Sequence, residues 1–349
     1  MNQKAPTLQD VATTAGVSSN TASVVLNGAK SNTRVSEATR QRVLDAAQQL
    51  RYHPNAAARS LVHRKTDSIG VIFGVAGSST DYVTNPYMAG ILQGVLKVAG
   101  EVGYCVTIFT QPWVNANASA HRFRDGRTDG IIVIASPENS DILEGLSSLG
   151  IPLAAVACPG ERYSVPTVDV DNRTGIEMAM DHLRELGHYK IALFTGEENM
   201  HSTPQRISSY RNRLKDWDCN LPAQWIHTCA YSGAGADAAL RKIWQSSERP
   251  TAILACNDAI AAGVLAEARS LSIKVPEELS VMGYDDAEIA SLQTPPLTTI
   301  SQPLQQIGEL TTHLLLKRLQ GVPIEPLTVL LDPKIVVRKS TSVPSEDNQ

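Results

Sequence analysis

Between Thr7 and Asn27 the apolar residues recur with the period of two short helices. Leu8, Val11, Ala12 and Ala15 stand at i, i+3, i+4 and i+7, one stripe of an α-helix. Thr7 is placed to cap it, with Asp10 three residues on to complete a capping box. Gly16 permits the positive φ that ends the helix. Ser18 caps a second helix, in which Ala22, Val25 and Leu26 face inward. Ser19, Asn20, Thr21, Ser23 and Val24 are left outside, small and uncharged. Such a face suits a groove lined with hydrogen-bonding edges and thymine methyls better than it suits bulk solvent. This is a helix-turn-helix signature, although an ordinary helical hairpin would share its apolar pattern.

The next forty residues separate the two readings. Val35–Leu50 is a third helix, capped by Ser36, with Glu37 in its positive first turn and Val43, Leu44, Ala47 and Leu50 facing in. Pro54 cannot continue it. Asn55–Val62 is alanine-rich and helix-favouring but too short to be stable alone, so it is a candidate for folding on a partner. Arg59, Arg64 and Lys65 suggest that the partner carries phosphate. Residues 1–66 hold nine Lys and Arg against three acids, a net +6, while the whole chain is −4. A basic head on an acidic body is the footprint of a DNA-binding module joined to something else.

These blocks, DVATTAGVSSNTASVVLNG, VSEATRQRV and HPNAAARSL, resemble the lactose/galactose repressor (LacI/GalR) family of bacterial transcription regulators, and the resemblance runs nearly to the C-terminus. It implies base reading by Ser19, Asn20 and Val24 and phosphate contacts from Thr21, Ser23 and Asn27. Thr7, Ser18, Tyr52, Asn55 and Ala58 complete the implied DNA-facing set. Asn55–Val62 matches a hinge helix that orders in the minor groove, with Leu61 as the apolar wedge. Many members carry Arg where this chain has Val24, so a departure in operator preference is expected at that base pair. The Ala29–Arg34 connection is longer than the family's usual one.

Beyond residue 67 apolar strands alternate with amphipathic helices. Strands are predicted at Ile69–Phe73, Cys105–Phe109, Ile131–Ile134, Leu153–Val156, Ile191–Thr195, Ile253–Cys256 and Val281–Tyr284. Helices are predicted at Met88–Glu101, Ile176–Leu186, Ile207–Trp217, Ala259–Leu271 and Leu304–Leu319. The pattern predicts an α/β body of two lobes with parallel sheets, Rossmann-like, behind an all-α head. The expected division is 1–53 (head), 54–66 (hinge and linker), 67–341 (body) and 342–349 (flexible tail). The lobes are expected at about 67–168 with 298–328, and 169–297 with 329–341. In such sheets ligands bind at the carboxyl ends of strands. There stand Asp169, Asp171, Asn172, Arg206, Tyr231, Asn257, Asp258, Asp285 and Asp286, the kinds of group that grip a polyhydroxylated ligand. Each also has a structural explanation: Asp258 as a cap of the helix at Ala259, Asp286 as a cap of the next turn, Tyr231 as core.

LGHYKIALFTG, ACNDAIAAG and SVMGYDDAEIASLQTPPLTTISQP resemble the same family's effector domain, which is periplasmic-binding-protein-like. The match implies effector contacts from Arg206, Asn257 and Asp285, with Tyr231 stacking, and from Asn85 and Tyr87 across the cleft. The Gly74–Thr84 loop is longer than usual, so Asp81 and Tyr82 stay unassigned; Ser209 replaces a usual Gly.

Other classes find less support. The first ten residues are polar and no apolar run approaches about 18 residues. Five cysteines without metal-type spacing read as thiols of a reducing cytoplasm. The GxGxxA run from Gly233 is a lone, mid-chain match and a weak sign of nucleotide binding. The expectation is therefore a cytoplasmic, nucleoid-associated regulator, not an enzyme, with no cofactor. It would act as a homodimer on a pseudo-palindromic duplex and respond to a small polar effector, most commonly a sugar. A solute receptor without DNA function is the alternative.

Overall fold

Capping and periodicity place the three head helices where the sequence predicts them. The computed structural model describes residues 5–27, 35–53, 60, 65–74 and 85–345. It divides into two compact units, residues 1–68 with 126–129 and residues 69–125 with 130–349. In the first, α1 (Leu8–Ala15), α2 (Ser19–Asn27) and α3 (Glu37–Gln49) enclose Val11, Ala12, Ala15, Ala22, Val25, Val43, Ala46 and Ala47. Thr66 and Asp67, at the end of the expected linker, are anchored on Asp129: Thr66 N and Oγ1 donate to Oδ1 (2.6 and 2.8 Å), and Asp67 N donates to Oδ2 (3.0 Å).

The second unit holds two six-stranded sheets. The first has the order β11-β5-β4-β3-β1-β2, from β1 (Ser68–Phe73), β2 (Cys105–Phe109), β3 (Gly130–Ile134), β4 (Leu153–Val156), β5 (Thr167–Val170) and β11 (Thr328–Leu331). The second has the order β12-β10-β9-β8-β6-β7, from β6 (Ile191–Thr195), β7 (Ile226–Thr228), β8 (Ala252–Ala255), β9 (Ser280–Asp285), β10 (Thr298–Ser301) and β12 (Lys334–Val336). β10 and β12 run antiparallel; the pairs β1/β3, β3/β4, β6/β8 and β8/β9 are parallel. β1, β3, β4, β6 and β8 are buried along their whole length, which is why they read as continuous apolar runs.

Covering helices include α4 (Pro86–Glu101), α5 (Ala116–Ser119), α6 (Ile142–Ser148), α7 (Asn172–Glu185), α8 (Ser202–Asp216), α9 (Ala236–Trp244), α10 (Asp258–Ser270), α11 (Glu288–Leu292) and α12 (Leu304–Leu319). α4 and α12 cross at glycines. A Cβ on Gly94 would stand 2.0 Å from the Gln305 carbonyl oxygen, and one on Gly308 would stand 2.0 Å from that of Ile91.

The sheets correct the expected lobe boundaries. Residues 298–301 pair with β9 in the second sheet, whereas 328–331 pair with β5 in the first. The chain therefore crosses between lobes after β5, between β10 and α12, and between β11 and β12. The tail also begins later than expected. Ser342 N donates to Ser280 Oγ (3.1 Å) and the Ser342 carbonyl meets His188 Nε2 (2.8 Å), so residue 342 is docked; 346–349 lie outside the described residues.

Candidate DNA-reading helix and effector cleft

The head presents one polar face. Thr7 N donates to Asp10 Oδ2 (2.8 Å) while Asp10 N donates to Thr7 Oγ1 (3.3 Å), the reciprocal capping box. Gly16 ends α1 at φ 65°, ψ 41°. Ser18 Oγ accepts from Thr21 N (3.1 Å) and starts α2. At about 100° per residue, Ser19, Asn20, Ser23, Val24 and Asn27 fall on one side of α2, and Ala22, Val25 and Leu26 on the other. Ala22 and Val25 are buried, Leu26 packs on the core, and Asn20 is exposed.

The hydroxyls of this face are bonded to side chains within the head. Ser19 Oγ donates to Gln9, Ser18 and Thr21 hydroxyls pair at 2.9 Å, and Asn27 Nδ2 donates to Ser23 Oγ (3.1 Å). Tyr52 is half-buried against the head core, and its N–H donates to the Ala47 carbonyl (2.8 Å). Asn55, Ala58 and Leu61, with the rest of the expected hinge, lie outside the described residues, as do Asp81 and Tyr82.

In the body, Arg206 lies close enough to Tyr87, Tyr231 and Asp285 for its charge to reach them, and it bonds the Cys256 carbonyl just before Asn257. Arg206 opens along α8, is 3 % exposed, and lies with its guanidinium carbon 3.8 Å from the centroid of the Tyr284 ring. Its Nε donates to Asn172 Oδ1 (2.8 Å) and its Nη1 to the Cys256 carbonyl. Burial works against its charge, but Tyr284, Tyr231, Cys256 and Asp285 more than offset it and the pKa is raised. Burial pushes the Cys256 thiol up to about 11.

Asp285 ends β9 at φ 119° and accepts from Gln302 Nε2 (2.5 Å). Burial raises its pKa, opposed by Arg206. Asp258, just inside α10, accepts from Thr299 Oγ1 (2.6 Å) and Ala287 N (2.8 Å); burial and then Asp285 raise its pKa. Asp258 is thus a buried brace between β10 and the loop after β9, and the helix cap is Asn257, whose Oδ1 accepts from Ile260 N (2.8 Å). Asn257 Nδ2 donates to the Tyr231 carbonyl (2.6 Å), and Tyr231 Oη meets Ser202 and Thr203 hydroxyls at 3.1 and 2.9 Å. Gly196 is required beside Tyr231, since a Cβ there would stand 2.0 Å from the ring. Asp286 pairs with Arg338 at 2.6 Å and does not cap the next turn.

From the other lobe, Asn85 caps α4 through Tyr87 N (3.0 Å) and Met88 N (3.4 Å). That cap fixes the backbone at Tyr87, whose hydroxyl feels the charge of Arg206. Burial, then Asp169, raise the Tyr87 pKa, with Arg206 opposing and Asp285 adding. The Asp169 carboxyl is itself pushed up by burial to about 6. A cavity of about 700 Å³ adjoins this group, lined by Asp169, Asn172, His201, Gln205 and Ser209; none of the six expected residues lines it. The opening also carries charge, from Glu161, Arg162, Asp171 and Arg173, but the aromatic faces stand at the Arg206 cluster, which is therefore the better candidate for the effector.

Two participants were not singled out by sequence. Gln302 is 7 % exposed, holds Asp285, and its Oε1 has no hydrogen-bond partner among the described residues. Tyr284 supplies the floor beneath Arg206. Gln302 follows a short strand that the apolar pattern missed, and Tyr284 reads as a core residue of its strand. No group of three His, Cys, Asp or Glu among the described residues is placed to hold a metal.

Residues 7–55 match the model described as bacterial regulatory proteins, lacI family, and residues 180–341 the periplasmic binding protein-like domain. The chain is 30% identical over 340 residues to the HTH-type transcriptional repressor PurR of Aliivibrio fischeri (strain MJ11), covering 96% of this chain and 98% of the relative. The chain belongs to the lacI family. The HTH-type transcriptional regulator CelR of Thermobifida fusca is 29% identical, over 97% of this chain and 99% of the relative. Among solved structures, a Lac repressor dimer bound to operator and the anti-inducer ONPF superposes with TM-score 0.83 at 26% identity, over 97% of this chain and 100% of that one. A transcriptional regulator CelR–cellobiose complex superposes with TM-score 0.72 at 28% identity, over 96% and 99%. The chain is accordingly a DNA-binding transcriptional regulator with an effector-type body, not an enzyme. The solute-receptor alternative gives way, because the head is matched as well as the body. Among the described residues no helix is long and apolar enough to cross a membrane.

Proposed function

We propose that this regulator is a cytoplasmic, nucleoid-associated repressor. As a homodimer it grips a pseudo-palindromic operator, and a small polyhydroxylated effector, a sugar, sets its affinity. The observation that carries the effector reading is the Arg206 cluster. A charged guanidinium stacks on Tyr284 and lies close enough to Asp285, Tyr87 and Tyr231 for its charge to reach them, while Gln302 holds Asp285 and keeps an unused acceptor among the described residues. Guanidinium and carboxylate take vicinal hydroxyls from both sides of the donor–acceptor divide, and aromatic rings cover the apolar face of a sugar. The CelR–cellobiose complex makes cellobiose the first ligand to try.

For DNA, Ser19, Asn20 and Val24 read bases and Thr21, Ser23, Asn27, Thr7, Ser18 and Tyr52 position the head on phosphates. Asn55, Ala58 and Leu61 act in the hinge. Effector binding changes operator affinity through a coupling of about 1–3 kcal/mol, or ~5–150-fold. The proposed domains are a head to residue 53, a hinge over 54–66, and the two-lobed body.

Thermal-shift screening of the full chain against cellobiose, other sugars, sugar phosphates and nucleobases tests the ligand class, because a ligand of the native state raises the melting temperature. A response to nucleobases alone would refute the sugar reading. Selection of operators from random DNA tests the head. Val24→Arg should move the preference at one symmetric pair of positions toward guanine; unchanged preferences would remove Val24 from the reading set.

A further inference from the structure

The two lobes touch at the mouth of the cleft. The loop after β3 and the loop after β6 form an antiparallel bridge at Pro137 and Met200, and Glu138 N donates to the Asn199 carbonyl (2.7 Å). Beside this bridge the Glu138 carboxylate of the first lobe meets His201 Nδ1 of the second. From there a side-chain chain runs inward. His201 Nε2 meets Gln205 Nε2 (2.9 Å), Gln205 Oε1 accepts from Asn172 Nδ2 (3.1 Å), and Asn172 Oδ1 accepts from Arg206 Nε (2.8 Å). Asn172 Nδ2 also lies 3.3 Å from Asp169 Oδ2 and 3.4 Å from the Val170 carbonyl.

The donor and acceptor identities allow one consistent direction. Arg206 donates to Asn172, Asn172 to Gln205, Gln205 to His201, and His201 through its Nδ1 proton to Glu138. His201 Nε2 accepts from the amide N–H of Gln205, so Nδ1 is the ring nitrogen that donates to Glu138. The chain starts on a guanidinium and ends on a carboxylate, so every dipole in it is aligned by both ends, and each bond polarises the next. Asn172 is 2 % exposed and Arg206 3 %, so the inner half is shielded from water.

We infer that Asn172, Gln205 and His201 are a positioning relay that ties contact between the lobes at Glu138 to the aim of Arg206. Glu138 reaches no part of the Arg206 cluster, yet it biases how the guanidinium is held and hence how the cleft receives its effector. This builds on the reading of Arg206 as an effector-gripping residue.

The test needs no effector, so failure of the relay and failure of the sugar reading are told apart. In full-length protein labelled with ¹⁵N at arginine, the Arg206 Nε–Hε signal is assigned by its loss in Arg206→Lys. Glu138→Ala, a change at a half-exposed side chain, should shift that signal and speed its solvent exchange. Gln205→Ala should do the same, and the double variant should do no more than the larger single effect. Glu138→Gln, which keeps an acceptor for His201, should restore the wild-type signal. An Arg206 signal unmoved by Glu138→Ala, or effects of the two alanine variants that add, would overturn the relay.

Discussion

At the scale of single residues, the body carries its chemistry in buried carboxyls. Asp169 illustrates the cost. Its ordinary pKa is ~3.9, and burial raises it to about 6 in the native state. A folded pKa above the unfolded one means that the native state binds the proton more tightly. The resulting stabilisation is full below about pH 4 and is lost as the pH rises toward about 6. Above that range the ionised group is a standing penalty of up to about 3 kcal/mol. Asp169→Asn keeps an acceptor for Val170 N, now at 2.8 Å, and removes the charge. Urea unfolding should show the variant gaining stability over wild type at pH 7.5 relative to pH 4.5; parallel curves would contradict the assignment. Residue type and position after a strand offered nine polar candidates, and only the family resemblance singled out Arg206, Asn257 and Asp285. Neither was enough to say that Asn257 serves as a helix cap, that Asp258 braces β10, or that Gln302 steadies Asp285. Those depend on neighbours distant in sequence.

At the scale of elements, capping explains why the head was legible. Thr7, Gly16, Ser18 and Ser36 each mark a boundary through a bond to the backbone within a few residues. Ser36 Oγ accepts from Thr39 N (3.2 Å). Ser36→Ala should destabilise the head by about 1 kcal/mol, seen as faster hydrogen exchange at the Val43 and Ala47 amides while the sheet amides of the body stay unchanged. Exchange rates in α3 equal to wild type would show that the cap contributes nothing. The elements that periodicity missed are the short ones. β10, β11 and β12 span three or four residues each, and β11 and β12 are only partly buried edge strands. Such lengths are too brief for a period of two to register. α9 was hidden by the glycine-rich run before it, in which Gly235 is its N-cap at φ 87°.

At the scale of the whole molecule, charge is divided by function. The segment that carries the DNA-binding match has a net +6 over residues 1–66, whereas the cluster proposed for the effector is buried in a body of opposite sign. The two activities should therefore respond differently to salt. If each operator complex neutralises ~6–10 phosphates, raising salt from about 50 to about 200 mM should weaken operator binding ~10³–10⁵-fold. Effector binding at the shielded Arg206 site should change far less. Gel-shift and calorimetric titrations at the two salt concentrations compare them; a shallow salt slope for DNA would remove the head from the phosphate-binding role.

What the sequence determined by itself was whatever is encoded locally: the caps and stripe of α1 to α3, the basic head, and the buried runs of the central strands. These arise from interactions over three or four residues, or from an apolar face that must be hidden whatever covers it. Only the tertiary structure decided which sheet receives β10 and β11, where the chain crosses between lobes, and how Asn172, Gln205 and His201 link Arg206 to Glu138. Those outcomes depend on partners 34 or 63 positions apart in the chain, for Arg206–Asn172 and His201–Glu138. No local period or spacing records such a distance, because it is set by which surfaces fit once the lobes have formed.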